Sequence, residues 1–228
     1  MMVFLFAAVG TALVFLAHTA PFPFILDSVA PGEAVWHIPH TAGPPTVYLT
    51  FDDGPNPDAT PALLDVLADV NAPATFFLID QHLTEQTAPI VRRMFAEGHA
   101  VGVHSHTRRL MWQSPQALAD TVAAAAQPCR VFRPHAGWRS GQMYEGLASI
   151  DFVLVGWGWG LWDWNWYQPR QADGLAHRLA RRASAGDIIV MHDGHHKNPR
   201  ADRRYAVEAT ALFVPALRER GFTLGTIC

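Results

Sequence analysis

Charge is scarce in this 228-residue chain: only 16% of residues are Asp, Glu, Lys or Arg, and the net charge at pH 7 is -3. Without a basic surplus there is no electrostatic footprint for nucleic acid, which excludes that partner class. Cysteine is scarcer still, with Cys129 and Cys228 alone. Two thiols exclude a zinc site built from thiolates, which needs three or four. A buried free Cys129 and a frayed terminal Cys228 are the expectation, with one disulfide as the alternative. Internal repeats and low-complexity tracts are missing too. No Gly-rich phosphate loop follows the first strand-like segment, which weighs against a nucleotide site.

Hydrophobic residues make up 50% of the chain, enough for one full domain with a sizeable core. Twelve histidines and eight tryptophans exceed what a plain scaffold needs. The first suggests metal or proton chemistry and the second suggests contacts with sugars or aromatics. Residues 1–17 carry no charge and are almost wholly apolar. That run is short for a spanning helix and long for a signal-peptide core, and no Lys or Arg precedes it. We read residues 1–20 as an N-terminal signal or membrane anchor that exports the domain, to be periplasmic, anchored or secreted. A buried helix is the alternative. Residues 21–45, rich in Pro, Gly and Ala, read as a linker or a loose wrap, and residues 46–228 as the folded domain.

From residue 46 onward, strand-like and helix-like patterns alternate. Strands are expected at 47–51, 75–79, 100–104, 130–133, 152–157, 187–192 and 222–227. Helices are expected at 61–70, 86–98, 114–127, 141–149, 173–185 and 203–220. About seven such units imply an α/β fold with a parallel sheet, in a closed or nearly closed (β/α) barrel; an open doubly wound sheet is the alternative.

The chemistry-bearing residues fall at the carboxyl ends of these strands, where barrels of this class place their sites. Asp52 and Asp53, in Thr50-Phe51-Asp52-Asp53-Gly54-Pro55, end the first strand. His104 ends the third, Arg133 the fourth and His192 the sixth. Taken alone, the paired aspartates also suit a turn cap. Asp53 and His104 are normal ligands for zinc or a similar divalent ion. Asp52 beside that ion would be free to deprotonate water, and Arg133 would hold it ionised. His192 would be the general acid for a leaving amine, oriented by Asp163. Together these residues describe hydrolysis of an amide or ester.

The order of these motifs resembles the polysaccharide deacetylase family, the NodB-like carbohydrate esterases of family four, across residues 47–227. The run from Thr50 to Pro55 is similar to the family's first motif, which implies Asp52 as base and Asp53 as metal ligand. Arg133-Pro134-His135-Ala136-Gly137 resembles its Arg-Pro-Pro-x-Gly motif, with the Ala136 N–H at the oxyanion. Trp162-Asp163-Trp164 resembles the end of the fourth motif, with Trp164 walling the sugar groove. The run from Ile188 to Asp193 resembles the fifth, with His192 as acid and Val190 lining an acetyl pocket. The resemblance implies a distorted barrel, a carbohydrate substrate and a divalent metal: zinc, or cobalt, nickel or manganese.

The sequence departs from the family pattern in three places. In His104-Ser105-His106-Thr107-Arg108, Arg108 stands where a second metal histidine is usual, and His106 is the expected substitute. Gly160 replaces an Asp in the fourth motif, and His135 replaces the second Pro in the third. The expected activity is removal of N-acetyl groups from a sugar polymer. The alternatives are a barrel amidohydrolase acting on a non-sugar amide and a carbohydrate-binding pseudoenzyme.

Overall fold

A computed structural model describes residues 2–17, 34–125, 127–164 and 171–228. Eight parallel strands form one sheet: β1 (Ala34–Val35), β2 (Thr46–Gly54), β3 (Thr75–Ile79), β4 (Ala100–His104), β5 (Val131–Arg133), β6 (Val153–Val155), β7 (Ile188–His192) and β8 (Thr223–Gly225). Their order is β1-β6-β5-β4-β3-β2-β7, with β8 paired to the first residues of β2. All seven expected strands are present. The eighth, β1, lies in the stretch read as a linker and pairs with β6 through Ala34 and Val35.

The seam between β6 and β7 is closed without a further full strand. Gly158 N donates to Ile188 O and Val190 N to Leu161 O, both at 2.9 Å, and Ile38 N donates to Gly186 O at 2.9 Å. The result is the distorted barrel that the alternation implied.

Helices lie between the strands: α2 (Thr60–Asp69), α3 (Ala88–Ala96), α4 (Pro115–Ala124), α5 (Gly141–Ala148), α6 (Ala172–Arg182) and α7 (Arg204–Glu219). Their starts follow local chemistry. Ser114 and Ser140 each accept a backbone N–H of the first turn, from Ala117 and Met143, and Pro115 takes the position whose N–H would have no partner. Ahead of them, α1 (Met2–Ala17) leaves Phe6, Val9 and Leu13 exposed. Among the described residues no helix is long and apolar enough to cross a membrane.

Side chains alternate across each strand. Val47, Leu49 and Phe51 of β2, with Ile189 and Met191 of β7, join the core under α2, α6 and α7. Tyr48, Ile188 and Val190 take the opposite face and pack inside the barrel with Phe77, Val131, Val155 and Trp157. Thr50 and Asp52 continue the inner row of β2 and His192 that of β7. The site is therefore the upper layer of the barrel's own filling.

Cys129 and Cys228 form a disulfide, 99 residues apart in sequence, which corrects the expectation of two free thiols. Pairing of β8 with β2 brings the chain's end back to the barrel, where Ile227 N donates to Thr75 Oγ1 at 2.8 Å. Tying a loop of that length removes freedom from the unfolded chain, an effect of about 3 kcal/mol or more. Reduction should therefore lower the urea unfolding free energy by about that amount. Superimposable unfolding curves with and without reductant, or two titratable thiols in the native protein, would rule the bridge out.

Candidate active site

Strict alternation would send Asp53 outward, away from Asp52. The backbone prevents this. Asp53 adopts a left-handed conformation (φ 71°), and the β2–β3 register shifts between Asp52 and Gly54. This bulge puts both carboxylates into one cleft. A left-handed Asp is disfavoured by about 1 kcal/mol or more, so its surroundings must hold it. His82, buried, donates Nδ1–H to the Asp53 carbonyl at 3.1 Å. The Gly194 backbone approaches so closely that a Cβ there would lie 1.9 Å from the same oxygen. Gly54 leaves room for the buried Asp193 carboxyl, which also accepts from the Thr60 hydroxyl.

Asp52 meets Arg133, whose side chain is wholly buried. The guanidinium donates to Asp52 Oδ1 at 2.7 Å, Thr50 Oγ1 at 2.6 Å, Gly156 O at 2.9 Å and Val155 O at 3.1 Å, and it lies over the Phe77 ring. Burial lowers the arginine's pKa from its ordinary value, and the Asp52 charge works against that. The pair fixes Asp52 in orientation.

Asp53 faces two imidazoles. Ligand atoms of Asp53, His104 and His135 all lie within 4.8 Å of one another. His104 Nδ1 is 2.8 Å from Arg133 O; a carbonyl only accepts, so Nδ1 donates there and Nε2 is turned to the cleft. That Nε2 stands 3.3 Å from Asp53 Oδ1, and Oδ1, though buried, has no hydrogen-bond partner. A buried carboxylate oxygen without a hydrogen-bond partner, beside an imidazole nitrogen, is an arrangement a cation resolves. Burial pushes the Asp53 carboxyl up, but His104, then His192 and His135, more than reverse this and hold it far below the carboxylate range. His135 is pushed down to about 3 by burial first and then by His104 and His196, so it is a neutral imidazole. These residues fit a divalent ion.

His106, the expected substitute ligand, lies outside this group. Its ring is 3.2 Å from Gln81 Nε2 and 3.9 Å from Asp80, and it is about one-third exposed. Arg108 turns onto the Trp138 ring, 5.2 Å from its centroid. The second nitrogen comes instead from the loop after β5, whose conformation is set by Ser105 Oγ accepting from His135 N at 2.9 Å. The sequence held one signal for this: His135 stands two residues beyond Arg133, at a strand end.

Opposite the carboxylates, His192 Nδ1 donates to Asp163 Oδ1 at 2.7 Å, and its backbone N donates to Asp163 Oδ2 at 2.9 Å. Burial pushes His192 down, but Asp163 outweighs it, and the imidazole is raised to about 9. Trp164 meets His192 edge-on at 5.5 Å and stacks on Trp162 at 5.2 Å. Ala136, in a left-handed conformation (φ 52°), lines the cleft, which has a volume of about 250 Å³. Val190 is fully buried in the barrel and bonded to Leu161 O, one layer beneath the cleft rather than on its wall. The lining also includes His195, His196, Arg203 and Tyr205, none of them marked by the motifs.

The polysaccharide deacetylase profile matches residues 40–142. A chitooligosaccharide deacetylase of Sinorhizobium fredii is 34% identical over 197 residues, covering 81% of this chain and 91% of its own length. A peptidoglycan-N-acetylglucosamine deacetylase of Bacillus cereus is 27% identical over 206 residues, covering 86% and 92%. The solved structure of a family 4 acetyl xylan esterase from Clostridium thermocellum, in complex with a cobalt ion, is similar with a TM-score of 0.68 at 30% identity. It covers 79% of this chain and 87% of that one.

Two variants separate the ligand assignments. Zinc titrated calorimetrically into chelated protein should bind His135→Ala more than about tenfold more weakly than the parent chain, and His106→Ala equally well. The reverse ranking would return the site to the second motif. Asp52→Asn removes the countercharge of a buried guanidinium and should lower the unfolding free energy by about 3 kcal/mol in urea.

Proposed function

The chain belongs to the polysaccharide deacetylase family, and from that premise we propose that it hydrolyses the acetamide of N-acetylated sugar units, releasing acetate and a free amine. The observation that carries this reading is the placement of two opposed proton-transfer groups around the Asp53, His104 and His135 cluster. Asp52, held by Arg133, stands on one side, and His192, held by Asp163, on the other.

A divalent ion at the cluster, when bound, supplies Lewis acidity toward the acetyl carbonyl and toward water. Zinc suits the one-oxygen, two-nitrogen donor set, and the cobalt ion in the xylan esterase relative supports a divalent ion generally. Asp52 accepts the proton of the attacking water; its fixed orientation suits a base. The Ala136 N–H, on the cleft wall, is placed to donate to the oxygen on which negative charge develops. His192 keeps its Nδ1–H on Asp163, so Nε2 faces the cleft and gives its proton to the nitrogen as the C–N bond breaks. An amide needs this step, because an unprotonated amide nitrogen leaves poorly. Trp164, on the cleft wall and backed by the buried Trp157, presents an indole suited to a sugar ring.

The named substrates of the relatives favour a chitooligosaccharide or the N-acetylglucosamine of peptidoglycan. The acetyl xylan esterase relative favours an acetyl ester as a second substrate class. For location we propose the outside of the cytoplasm. The disulfide supports an oxidising compartment, and the uncharged α1 supports export or attachment at a membrane.

The test is acetate release from N-acetylglucosamine oligomers after chelation, and again with zinc, cobalt, nickel or manganese restored. Metal-dependent release is expected. Release from acetylated xylan alone would shift the reading to an esterase, and no release with any metal would remove it. The pH profile of kcat supplies a second check. His192 must be protonated to act as an acid, and its pKa is raised to about 9, so kcat should persist through neutrality and fall as pH rises through about 9. A fall centred near pH 6 would deny His192 the role of acid.

A further inference from the structure

Asp163 accepts a third hydrogen bond that no sequence motif announces. Tyr205 Oη is 2.8 Å from Asp163 Oδ2. Arg203 Nη1 donates to the same phenol oxygen at 2.9 Å, and its Nε donates to Gly194 O at 2.6 Å. Arginine only donates and a carboxylate only accepts, so between these two partners the phenol donates to Asp163 and accepts from Arg203. The chain of donors is therefore polarised one way: Arg203 to Tyr205, Tyr205 to Asp163, and His192 to Asp163 from the far side. Arg203 is buried, and Tyr205 sits in the first turn of α7, packed on the main core. The hydroxyl is thus held by a helix rather than by a loop.

We propose that Tyr205, anchored by Arg203, is a positioning residue for the reaction: it locks the Asp163 carboxylate and, through it, the His192 imidazole. The reasoning concerns torsional freedom. With His192 as its only partner, Asp163 is gripped by a single strand, through the Nδ1–H and the backbone N–H of one residue. A third donor from a different element adds a hold on the carboxylate that does not move with that strand. His192 Nε2 then stays aimed at the leaving nitrogen, and proton transfer depends steeply on that aim. Arg203 ties the same network to Gly194, the residue that closes on the Asp53 carbonyl. The acid side of the cleft and the bulge on its other side thus share one brace.

This inference rests on the hydrolytic reading of the cleft, so the experiment has one readout that needs no turnover. Tyr205→Phe removes the hydroxyl and keeps the ring. With an N-acetylglucosamine oligomer and zinc-loaded protein, kcat should fall about tenfold, the scale of one hydrogen bond to a charged group, with KM and zinc content unchanged. In an Asp163→Asn background the same substitution should change kcat less than about twofold, because its target has already been altered. In parallel, the downfield proton resonance of His192 Nδ1–H, assigned by its loss in His192→Ala, should shift or broaden in Tyr205→Phe. The melting temperature should stay within a few degrees.

An unshifted resonance together with parental kcat would overturn the proposal. So would a loss of kcat that is equally large in the Asp163→Asn background, since the hydroxyl would then be acting on the substrate directly. If the parent chain releases no acetate from any substrate, the reading of the cleft fails, and the resonance alone still decides whether Tyr205 holds the Asp163–His192 pair.

Discussion

Two consecutive carboxylates share one cleft because a single residue leaves the extended conformation. The alternation of side chains that builds the barrel works against the site, since it would put Asp52 inside and Asp53 under the helices. The left-handed Asp53 and the register shift beside it reverse the second of these. Several otherwise unrelated features then fall into place as supports for that bulge. They are the His82 bond to the Asp53 carbonyl, the bare Gly194 pressed against it, and the Asp193 carboxyl in the space that Gly54 leaves empty. The local disfavour of about 1 kcal/mol or more is carried by packing from two other segments of the chain.

The cleft also separates its two proton-transfer groups by giving them opposite partners. Asp52 is paired with a cation and His192 with an anion, and the anion raises the His192 pKa. On the hydrolytic reading the first would be the base and the second the acid. The two stand on adjacent strands, with Asp52 and His192 directly paired in the β2–β7 register. One sheet contact would therefore set the spacing of both proton transfers. The partners come from elsewhere, Arg133 from β5 and Asp163 from the segment that closes the barrel seam. Tuning of either group is thus independent of the strand pair that spaces them.

Much of this was legible in the sequence, for physical reasons that also explain what was not. The β3 and β4 boundaries were read correctly because both strands are fully buried apolar runs ended by polar residues. Asp52, Asp53, His104, Arg133 and His192 were legible because each ends a strand, and strand ends of a parallel barrel converge. Strand β1 was missed because two residues carry no periodicity. The disulfide was missed because 99 residues separate its cysteines and no local pattern reports that distance. His106 was favoured over His135 on closeness along the chain, yet a strand followed by a turn sends neighbours apart. Tyr205 lies on α7, and only the folded chain brings it to Asp163.

Replacement of the usual second histidine by Arg108 looks damaging when the motif is read in isolation, because a cation would stand where a ligand belongs. The structure separates position in the motif from position in space. Arg108 turns onto Trp138, and the imidazole enters from the loop after β5, so the nitrogen count at the cluster is restored from a different strand. The ligand set then spans β2, β4 and the exit of β5, with His104 oriented through the backbone of Arg133 itself. The same short strand aims Asp52 through the Arg133 side chain, orients His104 through the Arg133 carbonyl, and delivers His135 two residues later. A displacement of β5 would disturb Asp52 and two of the three residues of the cluster together. The packing that fixes β5, Val131 inside the barrel and Phe132 beneath the outer helices, is therefore as much a part of the site as the residues that face the cleft.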